Sequence, residues 1–581
     1  MAGRFLILVA GASGRSKGSA QQGPALTRHL HGLGWRGRAV NLEGAQIWTW
    51  GPGAMPVARR GGALIVGHAF DRRRPVASVG SRLEGIADQL CRDIWGAYVA
   101  VWRAAEGHAT WVFRDPSGAR DLLCWRLGDT HVLASDLDHL PPNLTPRGLE
   151  LDWDRVADFA RRPASLAADL GLTGVTAIAP GEAMRLHDGL RRTVWRPADW
   201  ACALAPVDSG EVLRDAVVET LEAWTGAFPR LATEVSGGFD SAVVTLAARA
   251  SKAGDRLAWG LNYQGDRPEG DERRWAEQVV GAAKLPLLTV TKTLRALCEQ
   301  DFEETAGGAR PSLNGLDASR DRDTAQRLAA DGVSALLTGY GGDAVFYQMP
   351  SALPLADYLR DRGWHRAAGK FPLDLARWLR RPIWSVLAAA GRGPQGLDRL
   401  GYLAGFLGPR SLERPAGPSH PWLENLEIAK PGKQLQLLHL ATSQLAYGRS
   451  RRGDAAELIH PLMSQPVLEA GLAIPSWRHL EGGRDRALGR EAFASLLPSE
   501  VATRWSKGTL TSYYTRVVSA SLGFMRPYLL DGLLTTHGIL DRRAMEAALT
   551  PDELIWRGRG TTLLNAAALE AWCRHWMARR S

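Results

Sequence analysis

The segment "EVSGGFDSAVV", from Glu234 to Val244, decides the fold because it joins three kinds of sequence. The apolar run before it is typical of a buried strand, and the residues after it recur at helical spacing. Two glycines and two serines stand between them. Glycine lets the backbone approach a ligand closely, and a helix N-terminus carries partial positive charge. The loop therefore favours an anion, phosphate above all, although a simple tight turn with a capped helix fits these residues alone equally well.

A second strand about a hundred residues later also ends in glycines and a carboxylate. It reads "LLTGYGGDAVF" and contains Asp343, as the first loop contains Asp240. A carboxylate in a phosphate-binding loop repels its ligand unless a cation lies between them, and Mg²⁺ binds carboxylate and phosphate oxygens together. The two motifs predict that Asp240 and Asp343 hold Mg²⁺ against the β- and γ-phosphates of ATP.

The pattern along the chain divides near residue 205. Residues 1–205 consist of short strands punctuated by turns, beginning with "RFLILVAG", which we interpret as a strand and not as a signal peptide. From 206 to 581 strands alternate with helices, which predicts βαβ units and a parallel sheet. Ser236 and Thr338 follow two of these strands, at the edge where such sheets bind ligands. The predicted fold class is α/β plus α+β.

Composition restricts the range of functions. The chain has 581 residues with 45% hydrophobic and 23% charged residues, which is typical of a globular protein. The net charge of +10 is compatible with an anionic partner, but general arginine usage explains it equally well, and we expect no nucleic acid. Five scattered cysteines indicate neither zinc nor disulfides, and no run is long enough for a membrane span. We expect a cytoplasmic protein.

Together these motifs resemble the asparagine synthetase and β-lactam synthetase superfamily. "SGGFDS" is similar to the pyrophosphate loop of N-type ATP pyrophosphatases, and "TGYGGD" resembles the second metal motif of those synthetases. "FRDPSGARDLLCW" and "LASDLDHL" resemble their glutaminase-type domain. The resemblance implies a degenerate, Ntn-like amidotransferase domain over 1–205. It implies an AMP-forming synthetase domain of the adenine nucleotide α-hydrolase-like fold over 206–581.

The resemblance also implies roles for individual residues. The residues expected to bind ATP are Ser236, Gly237, Gly238, Asp240, Ser241, Gly339 and Gly341. Lys507 and Tyr340 are expected to be catalytic, with Lys507 stabilising negative charge at the adenylate. Tyr340 replaces the glutamate of asparagine synthetases and resembles the tyrosine of a Tyr–Glu pair in β-lactam synthetase, although no Glu partner can be assigned between residues 350 and 450. Arg486 and Arg490 could equally well reach phosphate or form an exposed basic stripe.

One departure from the pattern affects the expected substrate. Glutaminases of this type use an N-terminal cysteine, whereas Ala2 follows Met1 here, so glutamine hydrolysis is not expected. The whole set of motifs is most similar to the lasso peptide cyclases. These use Mg²⁺ and ATP to activate an Asp or Glu side chain of a core peptide as acyl-AMP for attack by its N-terminal amine. The implied partners are the precursor peptide, a leader peptidase and a leader-binding protein. A small-molecule amide ligase of the asparagine or β-lactam synthetase type and a non-catalytic scaffold are the alternatives.

Overall fold

The N-terminal part of the chain forms two antiparallel sheets. The computed structural model describes residues 3–10, 19–38, 45–51, 55–73, 85–104, 109–138, 140–203, 208–394, 403–413, 420–505, 508 and 510–579. Within these residues the N-terminal strands are β1 (Arg4–Ala10), β2 (Arg36–Arg38), β3 (Ala45–Trp50), β4 (Val57–Arg60), β5 (Ala63–Asp71), β6 (Ile94–Arg103), β7 (Thr110–Arg114), β8 (Leu123–Leu127), β9 (Thr130–Ala134), β10 (Thr176–Ala177), β11 (Glu182–Arg185) and β12 (Arg191–Thr193). They pair in the orders β10-β8-β9-β1-β3-β2 and β12-β11-β7-β6-β5-β4.

Strand β1 is buried on both faces. Phe5 and Ile7 belong to the cluster between the two sheets, whereas Leu6 and Leu8 pack into a different cluster beneath the helices. Successive side chains of a strand point to opposite faces, so a strand between two layers must be apolar at every position. This explains the unbroken run "RFLILVA", and the sequence-based prediction of a first strand is confirmed.

A parallel sheet forms the centre of the C-terminal part. Its strands are β13 (Leu231–Glu234), β14 (Leu257–Gln264), β15 (Leu287–Thr291), β16 (Ala335–Leu337) and β17 (Glu457–Ile459). They lie in the order β15-β14-β13-β16-β17, and every neighbouring pair is parallel. Leu231 pairs with Ala335, so β13 and β16 end side by side. The predicted α/β and α+β mixture is confirmed at this level.

Helices cover the sheets. Those of the N-terminal part are α1 (Ser19–Gly32), α2 (Ile86–Asp93), α3 (Trp153–Arg161), α4 (Ser165–Ala168) and α5 (Pro197–Ala201). The remaining helices are α6 (Ser209–Ala227), α7 (Phe239–Ala250), α8 (Arg273–Ala283), α9 (Glu299–Ala306), α10 (Ala318–Ala330), α11 (Gly342–Val345), α12 (Leu353–Arg362), α13 (Lys370–Leu379), α14 (Ile383–Arg392), α15 (Pro409–Glu413), α16 (Pro431–Ser443), α17 (Arg451–Ala455), α18 (Gln465–Ala473), α19 (Ala487–Ala492), α20 (Ser499–Thr503), α21 (Thr511–Ala520), α22 (Leu522–Leu530), α23 (Leu533–Thr536), α24 (Arg542–Ala548), α25 (Pro551–Arg557) and α26 (Gly560–Ala578). None of the described helices is long and apolar enough to cross a membrane.

The N-terminal sheets pack tightly on the C-terminal part. Trp95 and Tyr98 of β6 share one apolar cluster with Leu213 of α6 and with β13. A buried ion pair joins Arg72, just after β5, to Glu469 of α18, with nitrogen-to-oxygen distances of 2.8 and 3.0 Å. The two parts therefore share a continuous core. The boundary at residue 205 stays a prediction, because residues 204–207 lie outside the described part.

Candidate active site

The first glycine-rich loop connects β13 to α7. Gly238 is the N-terminal cap residue of α7, and Gly237 has a φ of 73°, a left-handed value that L side chains rarely adopt. A β-carbon on Gly237 would lie only 2.8 Å from the carbonyl oxygen of Glu272. The loop thus needs glycine at 237 for both its backbone conformation and its close packing.

The two serine hydroxyls of this loop face each other. The Ser236 and Ser241 Oγ atoms are 3.1 Å apart, and the Ser236 N–H donates to Ser241 Oγ at 3.2 Å. Ser241 Oγ in turn contacts the Gly238 carbonyl oxygen at 3.2 Å. The hydroxyls are therefore held at the N-terminal end of α7, where backbone N–H groups suit an anion.

The second glycine-rich loop packs directly against the first. A β-carbon on Gly339 would lie 2.6 Å from the backbone nitrogen of Ser241, and one on Gly342 would lie 2.5 Å from Asp240 Cγ. Gly341 has a φ of 90°. Any side chain at 339 or 342 would push the loops apart, so these glycines allow the two predicted carboxylates to approach each other.

The two aspartates meet at a single guanidinium group. Arg486 Nε and Nη2 donate to the two carboxylate oxygens of Asp240 at 2.9 and 2.6 Å. The same Nη2 donates to Asp343 Oδ1 at 2.6 Å. Asp240 is buried, whereas the Asp343 side chain is 61% exposed. The prediction that Asp240 and Asp343 converge is consistent with this geometry.

Arg486 is buried, with a side chain only 3% exposed, so it is not part of an exposed basic stripe. Burial alone would lower its pKa, but Asp240, Asp343 and Asp485 together hold the pKa above its usual value. The residue has a left-handed φ of 55° and caps α19. It is thus a permanent cation at the junction of the two loops.

These carboxylates fit a magnesium ion that is also held by phosphate. Among the described residues no group of three or more His, Cys, Asp or Glu side chains forms a complete metal site. Mg²⁺ commonly binds through one or two carboxylates and completes its shell with water and substrate phosphates. Asp240 and Asp343 match this pattern, because they offer carboxylate oxygens that already share one cation, Arg486. Each aspartate belongs to one of the two glycine-rich loops.

The loops line a cleft at the carboxyl edge of the parallel sheet. Its volume is about 510 Å³, which is in the range of ligand pockets. Seven of the ten predicted site residues line it, namely Ser236, Asp240, Ser241, Gly339, Tyr340, Gly341 and Asp343. Gly237 and Gly238 lie in the adjoining loop, and Lys507 lies outside the described residues. The roles assigned to these residues stay predictions.

Tyr340 lines this cleft next to His460 and Ser443. Its ring lies 5.2 Å from that of His460, which is fixed by a 2.6 Å hydrogen bond between Nδ1 and Thr338 Oγ1. The residue is 38% exposed as a whole. Burial raises the pKa of Tyr340 to about 12. The nearby Asp343 charge also raises this pKa, whereas a hydrogen bond with Ser443 lowers it. Tyr340 therefore carries its proton at neutral pH.

Helix α16 contributes a polar wall beside Tyr340. The side chains of His439, Thr442 and Ser443 line the cleft there. Of the described glutamates, Glu234 lines the cleft, and it is already paired with Arg320 at 2.7 Å. No described glutamate from the 350–450 region lines the cleft. Sequence reasoning missed the polar face of α16, since its residues match no motif.

The far wall of the cleft consists of buried charges. Lys292 forms an ion pair with Asp317, and its Nζ lies 5.1 Å from the ring centroids of both Tyr513 and Tyr514. Burial lowers the pKa of Lys292, and Asp317 opposes this shift. Lys292 and Arg320 thus bring two cations to the cleft, each paired with a carboxylate. Sequence spacing does not predict either pair.

A second ion pair anchors the segment before Lys507. Arg504 donates to the Gly237 carbonyl oxygen at 3.0 Å and pairs with Glu272. Its guanidinium lies 3.6 Å from the ring centroid of Trp275. The Gly508 N–H also donates to Glu272. The chain on either side of Lys507 is thus tied to the first glycine-rich loop.

Comparison with known families identifies the class. The family model described as asparagine synthase matches residues 211–574, more than half of the chain. The protein therefore belongs to the asparagine synthase family. Membership supports ATP-dependent amide (carbon–nitrogen) ligation as the general activity, with ATP and Mg²⁺ as the nucleotide and metal that the family uses in general. A comparison with curated proteins finds no match.

Proposed function

We propose that this protein is an AMP-forming peptide macrolactam synthetase of lasso peptide biosynthesis. It would activate an Asp or Glu side chain of a core peptide as acyl-AMP and join it to the peptide's N-terminal amine. The observation that carries the proposal is Tyr340, which lines the cleft together with Asp343. By the sequence resemblance, this tyrosine stands where asparagine synthetases have glutamate. Family membership supports the underlying ligase chemistry.

The first step forms the mixed anhydride. A carboxylate oxygen of the peptide attacks the α-phosphorus of ATP, and the bond to the bridging oxygen of pyrophosphate breaks. Ser236, Ser241 and the N-terminal N–H groups of α7 would hold the departing pyrophosphate. Asp240 and Asp343 would hold Mg²⁺, which supplies charge neutralisation for the phosphates when bound. Lys507 is proposed to stabilise negative charge at the adenylate.

The second step forms the amide. The peptide amine attacks the acyl carbon, AMP leaves, and the amine loses a proton. An α-amine has a pKa of roughly 8, so a fraction is neutral and nucleophilic at physiological pH. Because Tyr340 has a pKa of about 12, it would act as a protonated relay that passes the amine proton toward Ser443 or solvent. This role requires no phenolate.

The remaining partners belong to the same proposal. The degenerate amidotransferase part over 1–205, which we propose to be Ntn-like, would support the synthetase part over 206–581 and its adenine nucleotide α-hydrolase-like fold. The precursor peptide would reach the cleft after a leader peptidase and a leader-binding protein have presented and cleaved it. A cytoplasmic localisation is part of the same proposal.

Mass spectrometry of a candidate core peptide tests the proposal. The gene neighbourhood would supply a short precursor, whose leader-free core is incubated with the protein and Mg²⁺-ATP. We expect loss of one water from the peptide with equal amounts of AMP and pyrophosphate, and neither product with Asp240→Ala or Asp343→Asn. AMP formation without peptide dehydration would redirect the proposal to a small-molecule amide ligase. Absence of nucleotide turnover with folded wild-type protein would contradict it.

A further inference from the structure

Arg486 lies between the two aspartates that are proposed to hold the metal ion. One nitrogen, Nη2, is 2.6 Å from an oxygen of Asp240 and 2.6 Å from an oxygen of Asp343. The two oxygens are therefore within about 5 Å of each other. An Mg²⁺ ion with bonds of roughly 2.1 Å to both would occupy nearly the position of that nitrogen. The cation and the guanidinium group cannot both be there.

Arg486 is held by three carboxylates, and Asp240 and Asp343 share one of its nitrogens. Its Nη1 pairs with Asp485, and the side chain is enclosed by protein. Asp240 is buried as well, and a buried carboxylate without a counter-charge is strongly unfavourable. The guanidinium thus compensates the Asp240 charge. Removing it requires another positive charge at the same point.

From this geometry we infer that Arg486 is a placeholder cation, which keeps divalent metal out of the Asp240 and Asp343 site until a nucleotide brings metal and phosphate together. The phosphates give the displaced guanidinium a new anionic partner, and planar guanidinium groups bind phosphate oxygens in pairs. The metal in turn takes over the two carboxylates. The inference rests on the proposed metal site and adds an order of events to it: metal enters with nucleotide and not before.

This exchange has a physical advantage for a ligase that cleaves ATP to AMP and pyrophosphate. A site that is neutralised before the substrate arrives is already folded and needs no metal for stability. A divalent ion without nucleotide must compete with Arg486 for the two carboxylates. Because Arg486 is part of the same chain, its effective concentration at this site is high. The competition is removed only when phosphate oxygens are available. Arg486 is thus a positioning residue for the two carboxylates.

Binding of Mn²⁺ alone, measured by electron paramagnetic resonance on the full-length protein, tests this inference. The variants are Arg486→Met, which removes the charge, and Arg486→Met with Asp240→Asn, which also removes a carboxylate. Arg249→Met is the matched control, since Arg249 lies on α7 with Asp240 but pairs with Asp255. Circular dichroism checks that each variant is folded. The wild type is titrated with and without a non-hydrolysable ATP analogue.

We expect Arg486→Met to bind one Mn²⁺ without nucleotide at least about tenfold more tightly than wild type or Arg249→Met. The Asp240→Asn double variant should lose this site. Wild type should bind the ion tightly only with the analogue. Equal Mn²⁺ affinity of wild type and Arg486→Met, both without nucleotide, would overturn the inference.

Two further outcomes separate this inference from the proposed function. In the first, wild type binds Mn²⁺ with the ATP analogue, but Arg486→Met binds Mn²⁺ no more tightly than wild type when the analogue is absent. Arg486 is then only a structural cation, and the proposed metal site stands. If no protein binds Mn²⁺ even with the analogue, the metal site itself is wrong and the inference fails with it. Should Arg486→Met not fold, the wild-type titration decides alone: tight Mn²⁺ binding without nucleotide overturns the placeholder role.

Discussion

The Glu272 carboxylate pairs with both terminal nitrogens of Arg504 and also accepts the Gly508 N–H. Both side chains of the pair are nearly buried, at 11% and 8% exposure. Arg504 reaches on to the Gly237 carbonyl oxygen. A single ion pair therefore connects the first glycine-rich loop to the segment that contains Lys507. Its integrity should therefore fix the spacing between this loop and that segment.

Replacing Glu272 with Gln should impair activity. The neutral amide keeps the shape but leaves Arg504 without its counter-charge, so both loops lose their fixed spacing. Displacement of about 1 Å can cost roughly 10²-fold in rate, and we expect kcat/KM for ATP to fall by about that factor. Pyrophosphate release assays measure it. Glu277→Gln, on the exposed face of α8, the helix that begins just after Glu272, should leave kcat/KM unchanged. An equal loss there would contradict the prediction.

Replacing Gly339 with Ala should separate the two glycine-rich loops. The new β-carbon would approach the Ser241 nitrogen to 2.6 Å, a distance that backbone cannot accommodate without moving. We expect a raised KM for ATP and a clear loss of kcat in a protein that is still folded. The steady-state kinetics of the variant measure both.

Gly281→Ala is the matched control for this substitution. Gly281 lies in α8, and its β-carbon would meet nothing within 4 Å. This variant should be active and more stable by about 0.5–1 kcal/mol, because alanine loses less backbone entropy in a helix. Thermal unfolding measures the gain. If Gly339→Ala matched Gly281→Ala in kinetics, close loop packing would not be the reason for the glycine.

Replacing Tyr340 with Phe should lower the rate without changing the pH midpoint. The pKa of Tyr340 is raised to about 12 by burial, so the hydroxyl stays protonated throughout the pH range of the assay. The rate should rise as the substrate amine, with a pKa of roughly 8, loses its proton, and then level off. Loss of the hydroxyl relay should reduce this plateau by about 10²-fold or more.

The pH–rate profiles of wild type and Tyr340→Phe with one peptide substrate provide the measurement. Both should have the same midpoint, set by the amine, with different plateaus. A wild-type rate that keeps rising toward pH 11 while the variant levels off would instead indicate a phenolate base. Unfolding curves across the same range identify any loss of structure at high pH.

The amino-acid sequence predicts the strands and helices whose hydrophobic periodicity lies within one continuous segment. The apolar run before Ser236 and the helix after it follow from periodicity, and the parallel order puts Thr338 beside Ser236. The sequence leaves phosphate contact and an exposed stripe equally open for Arg486, because its burial depends on tertiary contacts with Asp240 and Asp343. Ser443 matches no chemical spacing, and only the tertiary fold brings it to the cleft. The tertiary fold likewise brings Glu272 to Arg504 and Gly508.

The buried pair of Arg72 and Glu469 should contribute strongly to stability. Their side chains are 6% and 4% exposed, and Glu469 also accepts hydrogen bonds from Trp195 and Gln465. Arg72→Met leaves the Glu469 charge buried without its partner, which costs about 3–5 kcal/mol. Denaturant unfolding measures this loss. Because the pair joins the two parts of the chain, the transition should also become less cooperative.

The neighbouring residue provides the control for this last prediction. Arg73 is 55% exposed and pairs with Glu222, so Arg73→Met should cost about 1 kcal/mol or less. Adding Glu469→Gln to Arg72→Met removes the uncompensated charge and should restore much of the lost stability. If the double variant were as unstable as Arg72→Met alone, packing of the arginine and not its charge would explain the loss. An equal effect of Arg73→Met would show that burial is not the deciding factor.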